Sequence, residues 1–175
     1  QPRAGMSTRR LLCFDDMPAF GGHQVMTAFG LEALVAVPSL KVTAAISPDN
    51  LRNQARLREI PGLTVRDAPH TSGRFEGIRL RLRPRRIAAV AGWIESQQPD
   101  AVLAVQGDIE GAAIALLACR RLGLPCLSYI PVPHRLATMA AKLGHLRDPA
   151  NGYLFHLPTR WLTISETMAA LLRER

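Results

Sequence analysis

A pair of adjacent glycines, Gly21 and Gly22, precedes His23 shortly after a predicted buried strand. Glycine has no Cβ, so a ligand can approach the backbone closely at these positions. The helix predicted from about Gln24 onwards would offer free N–H groups and its positive dipole end, which favour an anion such as phosphate. His23 would add a hydrogen-bond donor. The alternative is that the glycines only form a turn, because the G-x-G-x-x-G fingerprint of dinucleotide-binding proteins is absent.

A second candidate is His134, which stands between Pro133 and Arg135 just after the fifth predicted strand. Neutral imidazole accepts a proton or hydrogen-bonds a sugar hydroxyl near neutral pH, and a guanidinium pairs with phosphate. His134 is therefore a candidate catalytic residue and Arg135 a candidate contact to an acceptor, unless the histidine only packs in its loop. The remaining histidines are predicted to be surface or packing residues: His70, His145 and His156.

Three aspartates also follow predicted strands. Asp108 comes after the fourth one, where its carboxylate would either bond the hydroxyls of an acceptor or cap the helix expected from Glu110. Asp15 and Asp16 close the first predicted strand, and we expect them to do no more than terminate it.

The most unusual local feature is an arginine-rich stretch over residues 74–86, in which apolar residues alternate with arginine at 78–83. In an extended conformation this alternation would give one apolar and one cationic face. Such a segment would adsorb to anionic lipid or capture a phosphorylated acceptor, with Arg81 and Arg83 as candidate acceptor contacts. The alternative is an edge strand that its charges protect from pairing.

These candidates depend on the elements that position them. Apolar runs predict strands at residues 9–15, 41–47, 63–68, 101–105, 126–130 and 161–164, and helical patterns lie between them at about 24–37, 49–60, 84–98, 110–122 and from 165 onwards. The alternation predicts an α/β, Rossmann-like three-layer sandwich with a mostly parallel sheet of about six or seven strands. Ligands bind such sheets at the carboxyl ends of the strands, where the strand order reverses. The loops after strands one, four and five are therefore the predicted site.

Composition narrows the class of protein. The 175 residues suit one domain, and 47% hydrophobic with 21% charged residues is typical of a soluble globular protein. The longest apolar run, Ala112–Cys119, is far shorter than the roughly 20 residues of a membrane span, and no secretory signal is recognisable. The cysteines are far apart in apolar stretches, which predicts buried thiols and neither a metal site nor a cofactor: Cys13, Cys119 and Cys126.

The net charge of +8 comes almost wholly from arginine, with 20 arginines against 2 lysines. A basic surface of this kind would attract nucleotide phosphates, anionic lipid or nucleic acid. Charge alone does not choose among these partners.

Three segments together resemble a known family. They are Phe20–His23 after the first strand, Arg121–Cys126 leading into the fifth strand, and Trp161–Glu166, a strand followed by Ser-Glu. Their order and spacing are similar to those of the N-terminal domain of GT-B-fold glycosyltransferases, particularly the family four group (glycosyl transferases group 1). The resemblance covers roughly Arg9–Arg175.

The resemblance implies one half of a GT-B fold and the acceptor side of an enzyme that moves a sugar from a nucleotide-sugar to a carbohydrate, lipid-linked or small-molecule acceptor, as in polysaccharide biosynthesis. It implies that Gly21, Gly22 and His23 contact the diphosphate of the donor, and that His134 lies beside the transferred sugar. The arginine-rich stretch falls where many members carry an acceptor-binding or membrane-facing loop. The nucleotide-sugar would be a co-substrate, nucleic acid is not an expected partner, and we expect a cytoplasmic protein, peripheral to the inner face of the membrane.

The domain boundaries follow from the same comparison. Residues 1–5 precede a plausible start at Met6 and are interpreted as a cloning remnant, and residues 6–175 as the N-terminal Rossmann-like domain. The second domain of the family holds most of the nucleotide contacts, and no counterpart follows Arg175. We therefore expect a fragment with little or no transferase activity on its own.

Other interpretations stay open. A non-hydrolysing sugar-nucleotide epimerase shares this two-domain fold, and a binding or adaptor module would keep the fold without the chemistry. Asp15 and Asp16 also resemble the acidic pair of a phosphoacceptor receiver domain. That class requires a lysine after the fifth strand, and Ser128–Pro133 contains none.

Overall fold

A computed structural model describes residues 8–175, so the interpretation of residues 1–5 lies outside the described part of the chain. The strands are β1 (Arg9–Asp15), β2 (Leu40–Ile46), β3 (Thr64–Asp67), β4 (Ala101–Val105), β5 (Cys126–Tyr129) and β6 (Arg160–Leu162). The helices are α1 (Gly22–Val35), α2 (Leu51–Arg58), α3 (Glu76–Arg81), α4 (Pro84–Ser96), α5 (Ala113–Leu122), α6 (Gly144–Asn151) and α7 (Glu166–Arg173), with a 3-10 turn at Gly152–His156.

The six strands form one sheet in the order β3-β2-β1-β4-β5-β6, and every neighbouring pair is parallel. This is the strand order of the Rossmann fold, and it reverses direction between β1 and β4. The prediction of an α/β fold with a parallel sheet of about six strands is confirmed. Every strand lies within two residues of its predicted bounds. For the inner strands β1 and β4 the reason is that a strand buried on both faces is a continuous apolar run.

The core consists of two layers, one on each face of the sheet, and β1 contributes to both. Leu12 and Phe14 pack with α4 and α5, whereas Leu11 and Cys13 pack with α1 and α2. Successive side chains of a strand point to opposite faces, so this short run joins the two layers. The three cysteines are buried free thiols, as predicted.

The arginine-rich stretch is not extended, and the prediction of alternating faces is wrong. Residues 76–81 form α3, and α4 begins two residues after it ends. Glu76, Gly77 and Leu80 are buried, which is the spacing of one helix face and not that of a strand. Arginine and leucine are good helix formers, and Gly77 lets α3 approach Asn151 of α6 too closely for any larger residue.

Helix α5 begins three residues later than predicted. The turn before it contains Ala112 in the left-handed conformation, with φ of 51°, and the helical bonds start only after this residue. The shift leaves Glu110 on the loop after β4 and not on the helix. No helix within residues 8–175 is long and apolar enough to cross a membrane.

Candidate functional site

The loops after β1 and β4 face each other where the strand order reverses. The amide of Ala112 donates to Oδ1 of Asp16 at 2.8 Å, and the amide of Gly107 lies 3.2 Å from Sδ of Met17. A Cβ at Gly107 or at Gly111 would lie within 2.9 Å of Sδ of Met17, so a larger residue at either position would have to displace the methionine side chain. The two loops are therefore packed against each other at the carboxyl edge, the expected location of a ligand in this fold.

A cleft of about 360 Å³ with several charged residues in its lining opens between these loops. Its walls come from the loop after β1, from the loop before α3, from the loop after β4, and from α6. The lining residues are Met17, Pro18, Ala19, Ser72, Gly73, Arg74, Asp108, Glu110, Gly111 and Arg147. Two carboxylates and two guanidiniums line one small space, which suits a ligand with several hydroxyl groups or a charged group.

The predicted anion site lies at the start of α1. Gly21 is the N-cap residue, and Oε1 of Gln24 accepts a hydrogen bond from its amide. The amides of Gly22 and His23 meet no acceptor within residues 8–175. A Cβ on Gly22 would project into open space, so a ligand can approach the backbone closely at this position. Such a helix N-terminus favours a phosphate.

His23 contributes a neutral side chain. Burial lowers its pKa to about 4, so the imidazole carries no charge at neutral pH. Its Nε2 is buried and has no hydrogen-bond partner within residues 8–175. The ring lies against Gly107, where a Cβ would come within 2.8 Å of Cε1. His23 can therefore donate one hydrogen bond, but it adds no positive charge to the helix terminus.

Asp15 and Asp16 are fully buried and do more than terminate β1. Asp15 accepts hydrogen bonds from the amide of Met17 at 3.1 Å and from Nδ2 of Asn53 at 3.0 Å, and burial raises its pKa to about 7. Burial also raises the pKa of Asp16 to about 6. Oδ2 of Asp16 has no hydrogen-bond partner and lies 3.8 Å from Nε2 of His70.

His70 is part of a buried network and not a surface residue. Nε of Arg86 donates to Nδ1 of His70 at 2.9 Å, so Nδ1 is an acceptor and the ring proton of the neutral imidazole is on Nε2. Nε2 then donates to Oε1 of Glu76 at 2.9 Å. Burial alone would raise the pKa of Glu76, but the bonds from His70 and from the amide of Gly73 hold it below its usual value. The network fixes the loop whose residues 72–74 line the cleft.

A second buried network forms the opposite wall. Arg147 of α6 binds Glu110 with two hydrogen bonds, Nη2 to Oε2 at 2.6 Å and Nε to Oε1 at 3.1 Å. Asn151 also donates to Oε1 of Glu110 at 2.8 Å. Hydrogen bonding with Glu110 raises the pKa of Arg147, so the guanidinium stays protonated. Sequence reasoning named Glu110 only as the start of a helix and missed Arg147, because α6 lies in a stretch without clear periodicity.

Asp108 lines the cleft at the end of the β4 loop. Its Oδ1 accepts hydrogen bonds from the amides of Glu110 at 2.8 Å and Gly111 at 3.1 Å, and burial raises its pKa. Asp108 thus caps the turn before α5, and it still has one carboxylate oxygen outside these bonds. Binding of an acceptor hydroxyl by Asp108 stays a prediction.

The other predicted site residues do not line the cleft. His134 is half-buried on the loop after β5, and Arg135 is exposed beside a separate depression that α6 and the end of the chain form. Arg81 is exposed and stacks on the ring of Tyr153 at 4.2 Å, and Arg83 is exposed between α3 and α4. The roles predicted for these four residues stay predictions. No group of three His, Cys, Asp or Glu side chains within residues 8–175 could hold a metal ion.

Known proteins resemble this chain in structure but not in sequence. No family model and no curated protein sequence matches it. The UDP-GlcNAc 2-epimerase from Neisseria meningitidis, bound to UDP-GlcNAc, has a TM-score of 0.64 at 15% identity and covers 95% of this chain and 42% of its own. A UDP-N-acetylglucosamine 2-epimerase from Listeria monocytogenes, described as tentative, has a TM-score of 0.63 at 15% identity, with 96% and 42% covered.

The spinosyn forosaminyltransferase SpnP has a TM-score of 0.50 at 19% identity and covers 86% of this chain and 40% of its own. At these identities the likeness shows the fold alone. The chain has the Rossmann-like architecture of one half of the GT-B fold, and it spans about two fifths of the length of these structures.

Proposed function

We propose that this chain is the acceptor-side half of a glycosyltransferase that moves a sugar from a nucleotide-sugar to a carbohydrate, lipid-linked or small-molecule acceptor. The observation that carries the proposal is the start of α1, where the free amides of Gly22 and His23 lie at the reversal of strand order. Solved structures with this fold include a glycosyltransferase and a sugar-nucleotide epimerase bound to its nucleotide-sugar. In this proposal the amides receive the diphosphate of the donor.

The cleft between the loops after β1 and β4 would hold the acceptor. Asp108 would accept a hydrogen bond from an acceptor hydroxyl, and its raised pKa makes it a better proton acceptor than an exposed aspartate. Arg74 is exposed at the mouth of the cleft and would contact an acceptor phosphate or carboxylate. In the reaction, the oxygen of the acceptor hydroxyl attacks C1 of the sugar and its proton passes to Asp108. The bond from C1 to the phosphate oxygen breaks, and the nucleotide diphosphate leaves.

A catalytic role for His134 belongs to the same proposal and is supported by the resemblance of the sequence alone. Acceptor contacts by Arg135, Arg81 and Arg83 have the same support. Because the structures with this fold are more than twice as long, the proposal includes a second domain that closes over the donor. It places the protein in the cytoplasm at the inner face of the membrane.

The experiment is a titration of this chain with UDP-, GDP-, ADP- and TDP-sugars, followed by NMR of the backbone amides. We expect one nucleotide family to shift the amide signals of Gly22 and His23. We expect Gly22→Ala to weaken that binding about tenfold, because the added methyl would keep the diphosphate from approaching the backbone as closely as it can at a glycine. Gly30→Ala is the matched control, since Gly30 is an exposed glycine of the same helix whose Cβ would also meet nothing. Shifts that Gly22→Ala and Gly30→Ala affect equally would contradict the proposed anion site.

An epimerase is the second candidate, and the observation in its favour is the TM-scores of 0.64 and 0.63 to two epimerase structures. The two functions differ in their products. With the complete gene product, an epimerase would invert a sugar carbon of the nucleotide-sugar in the absence of any acceptor. A transferase would release the nucleotide diphosphate at an appreciable rate only with an acceptor. If no nucleotide-sugar binds to either the chain or the complete product, a binding or adaptor module takes the place of both enzymes.

A further inference from the structure

The surface around the junction of α3 and α4 carries an uncompensated positive charge. We call residues 78–86 the α3–α4 corner. Six arginines lie between residues 74 and 86, and the only acidic residue in this stretch, Glu76, is buried against His70. No aspartate or glutamate occurs between Glu76 and Glu95. The exposed charge of the corner is therefore wholly cationic.

The arginines of the corner differ in their intramolecular contacts. Arg86 donates to His70, Arg79 lies 3.8 Å from Glu76, and Arg81 stacks on Tyr153. Arg83 and Arg85 are exposed and have no ion pair or hydrogen-bonding side-chain partner within residues 8–175. Neither guanidinium therefore stabilises the fold through an ion pair in the described residues, and both can bind an external anion.

An aliphatic side chain stands at the apex of the corner. Leu82 is 79% exposed, the largest exposure among the large hydrophobic residues of the described chain, and it belongs to neither core layer. Arg81 and Arg83 flank it in the sequence and are both exposed. Ile78, one turn earlier on α3, is 37% exposed. An exposed aliphatic side chain flanked by exposed arginines matches the interfacial region of a bilayer, where acyl chains lie beneath anionic head groups.

The aromatic residues near the corner argue against a nucleic acid as the partner. Proteins that bind single strands stack bases on exposed aromatic rings. Here the ring of Phe75 is covered by Arg147 and the ring of Tyr153 by Arg81. The exposed apolar side chains are aliphatic, and these insert among lipids but offer no stacking surface.

We propose that the α3–α4 corner docks on an anionic lipid bilayer, with Leu82 inserted among the head groups and the arginines at the level of the phosphates. The corner lies beside the cleft, because Glu76 of α3 accepts a hydrogen bond from the amide of Gly73, which lines the cleft. Docking would thus bring the cleft close to the membrane surface. The contact rests on the membrane location included in the proposed function and names the surface and the lipid charge behind it, but it requires neither a sugar nucleotide nor transferase activity.

The test is co-sedimentation of this chain with vesicles of phosphatidylcholine alone and with about 30% phosphatidylglycerol, without any sugar nucleotide. We expect binding only to the anionic vesicles and its loss in about 0.5 M NaCl. The double variant Arg83→Ala/Arg85→Ala should lower the partition coefficient about 25-fold, at about fivefold for each arginine. Leu82→Ser should lower it severalfold and leave the charge unchanged.

The matched control is Arg120→Ala/Arg121→Ala, which removes the same charge from the exposed end of α5, at the opposite edge of the sheet. We expect less than a threefold change, since these arginines would lie away from the bilayer, roughly beyond a Debye length. An equal loss in both double variants would overturn the proposal in favour of a diffuse charge effect. Equal binding to both kinds of vesicle, or binding to a DNA oligonucleotide but not to anionic vesicles, would also overturn it.

Discussion

The carboxylates beneath the cleft differ in how the protein compensates their charge. Glu110 is paired with the guanidinium of Arg147, whereas the hydrogen bonds that Asp15 and Asp16 accept come from neutral amide groups. A buried carboxylate without a cation has a raised pKa, because the low-dielectric interior disfavours the charged form. The two kinds of carboxylate therefore predict different effects of mutation.

For the ion pair, we expect Arg147→Met to lower the free energy of unfolding by about 3 kcal/mol, because Glu110 would remain as a buried charge without its partner. Arg173→Met is the control, since Arg173 pairs with Glu166 at 3.5 Å on the surface, where both side chains are exposed. That change should cost less than about 0.5 kcal/mol. Urea denaturation of both variants measures the difference, and similar costs would contradict the assignment of a strong buried pair.

For the two carboxylates with a raised pKa, the free energy of unfolding should fall as the pH rises. The pKa of Asp15 is raised to about 7 and that of Asp16 to about 6, so between about pH 4 and these values the folded state binds more protons than the unfolded chain. The free energy of unfolding therefore decreases through this window. His23 acts in the opposite direction, because its lowered pKa makes the folded state bind fewer protons between about pH 4 and 6.5.

Asp15→Asn isolates one of these contributions. We expect the slope of the free energy of unfolding against pH, between about pH 5 and 7, to become less negative by about 1 kcal/mol per pH unit. The free energy of unfolding of the variant, measured relative to that of the native sequence, should therefore be higher at pH 8 than at pH 5. Asp49→Asn removes an exposed aspartate and is the control. Parallel pH profiles for Asp15→Asn and the native sequence would show that Asp15 does not titrate in this range.

At the scale of elements, α3 shows most clearly how packing selects between two local structures. An alternating sequence of arginine and apolar residues suits an edge strand, but a strand would leave the buried faces of α4 and α6 uncovered. As a helix, the segment places Leu80 in the core layer and provides Glu76 for His70. The stability gained by burying Leu80 and by these polar bonds favours the helix.

Two leucines of the same segment distinguish helix from strand. Leu80 and Leu82 would share one face of a strand, whereas in α3 Leu80 is 1% exposed and Leu82 is 79% exposed. We expect Leu80→Ala to cost about 3 kcal/mol and Leu82→Ala less than about 0.5 kcal/mol. Thermal or urea unfolding of the two variants provides the measurement. Comparable costs would indicate that the segment is extended.

At the scale of the whole molecule, stability should decrease from the centre of the sheet towards β6. Strand β1 pairs with β2 along its entire length and with β4 over four residues, and its inner residues are buried. Strand β6 has three residues and pairs only with β5, and α7 after it has no buried residue. The centre of the sheet and its β6 edge are thus held by very different amounts of packing.

Amide hydrogen exchange should follow this gradient. We expect the amides of residues 11–14 in β1 to exchange at least about 100-fold more slowly than those of α7, because opening β1 requires global unfolding and opening α7 does not. Mass spectrometry of peptides from the two regions gives both rates. Equal protection would contradict the loose packing of α7 seen in this structure.

The sequence by itself determined the sheet and the start of α1. The apolar runs of β1 and β4 predicted their bounds, and Gly21 and Gly22 indicated the start of α1, because periodicity and turn chemistry are local properties. Only the tertiary structure decided which polar residues meet. Asp16 and His70 are 54 positions apart, and Glu110 and Arg147 are 37 positions apart. Strand order and the packing of α3 and α6 bring these residues together. Sequence spacing does not predict such pairs, because the two partners lie on distant segments. A buried charge is tolerated only when the folded structure brings a partner to it.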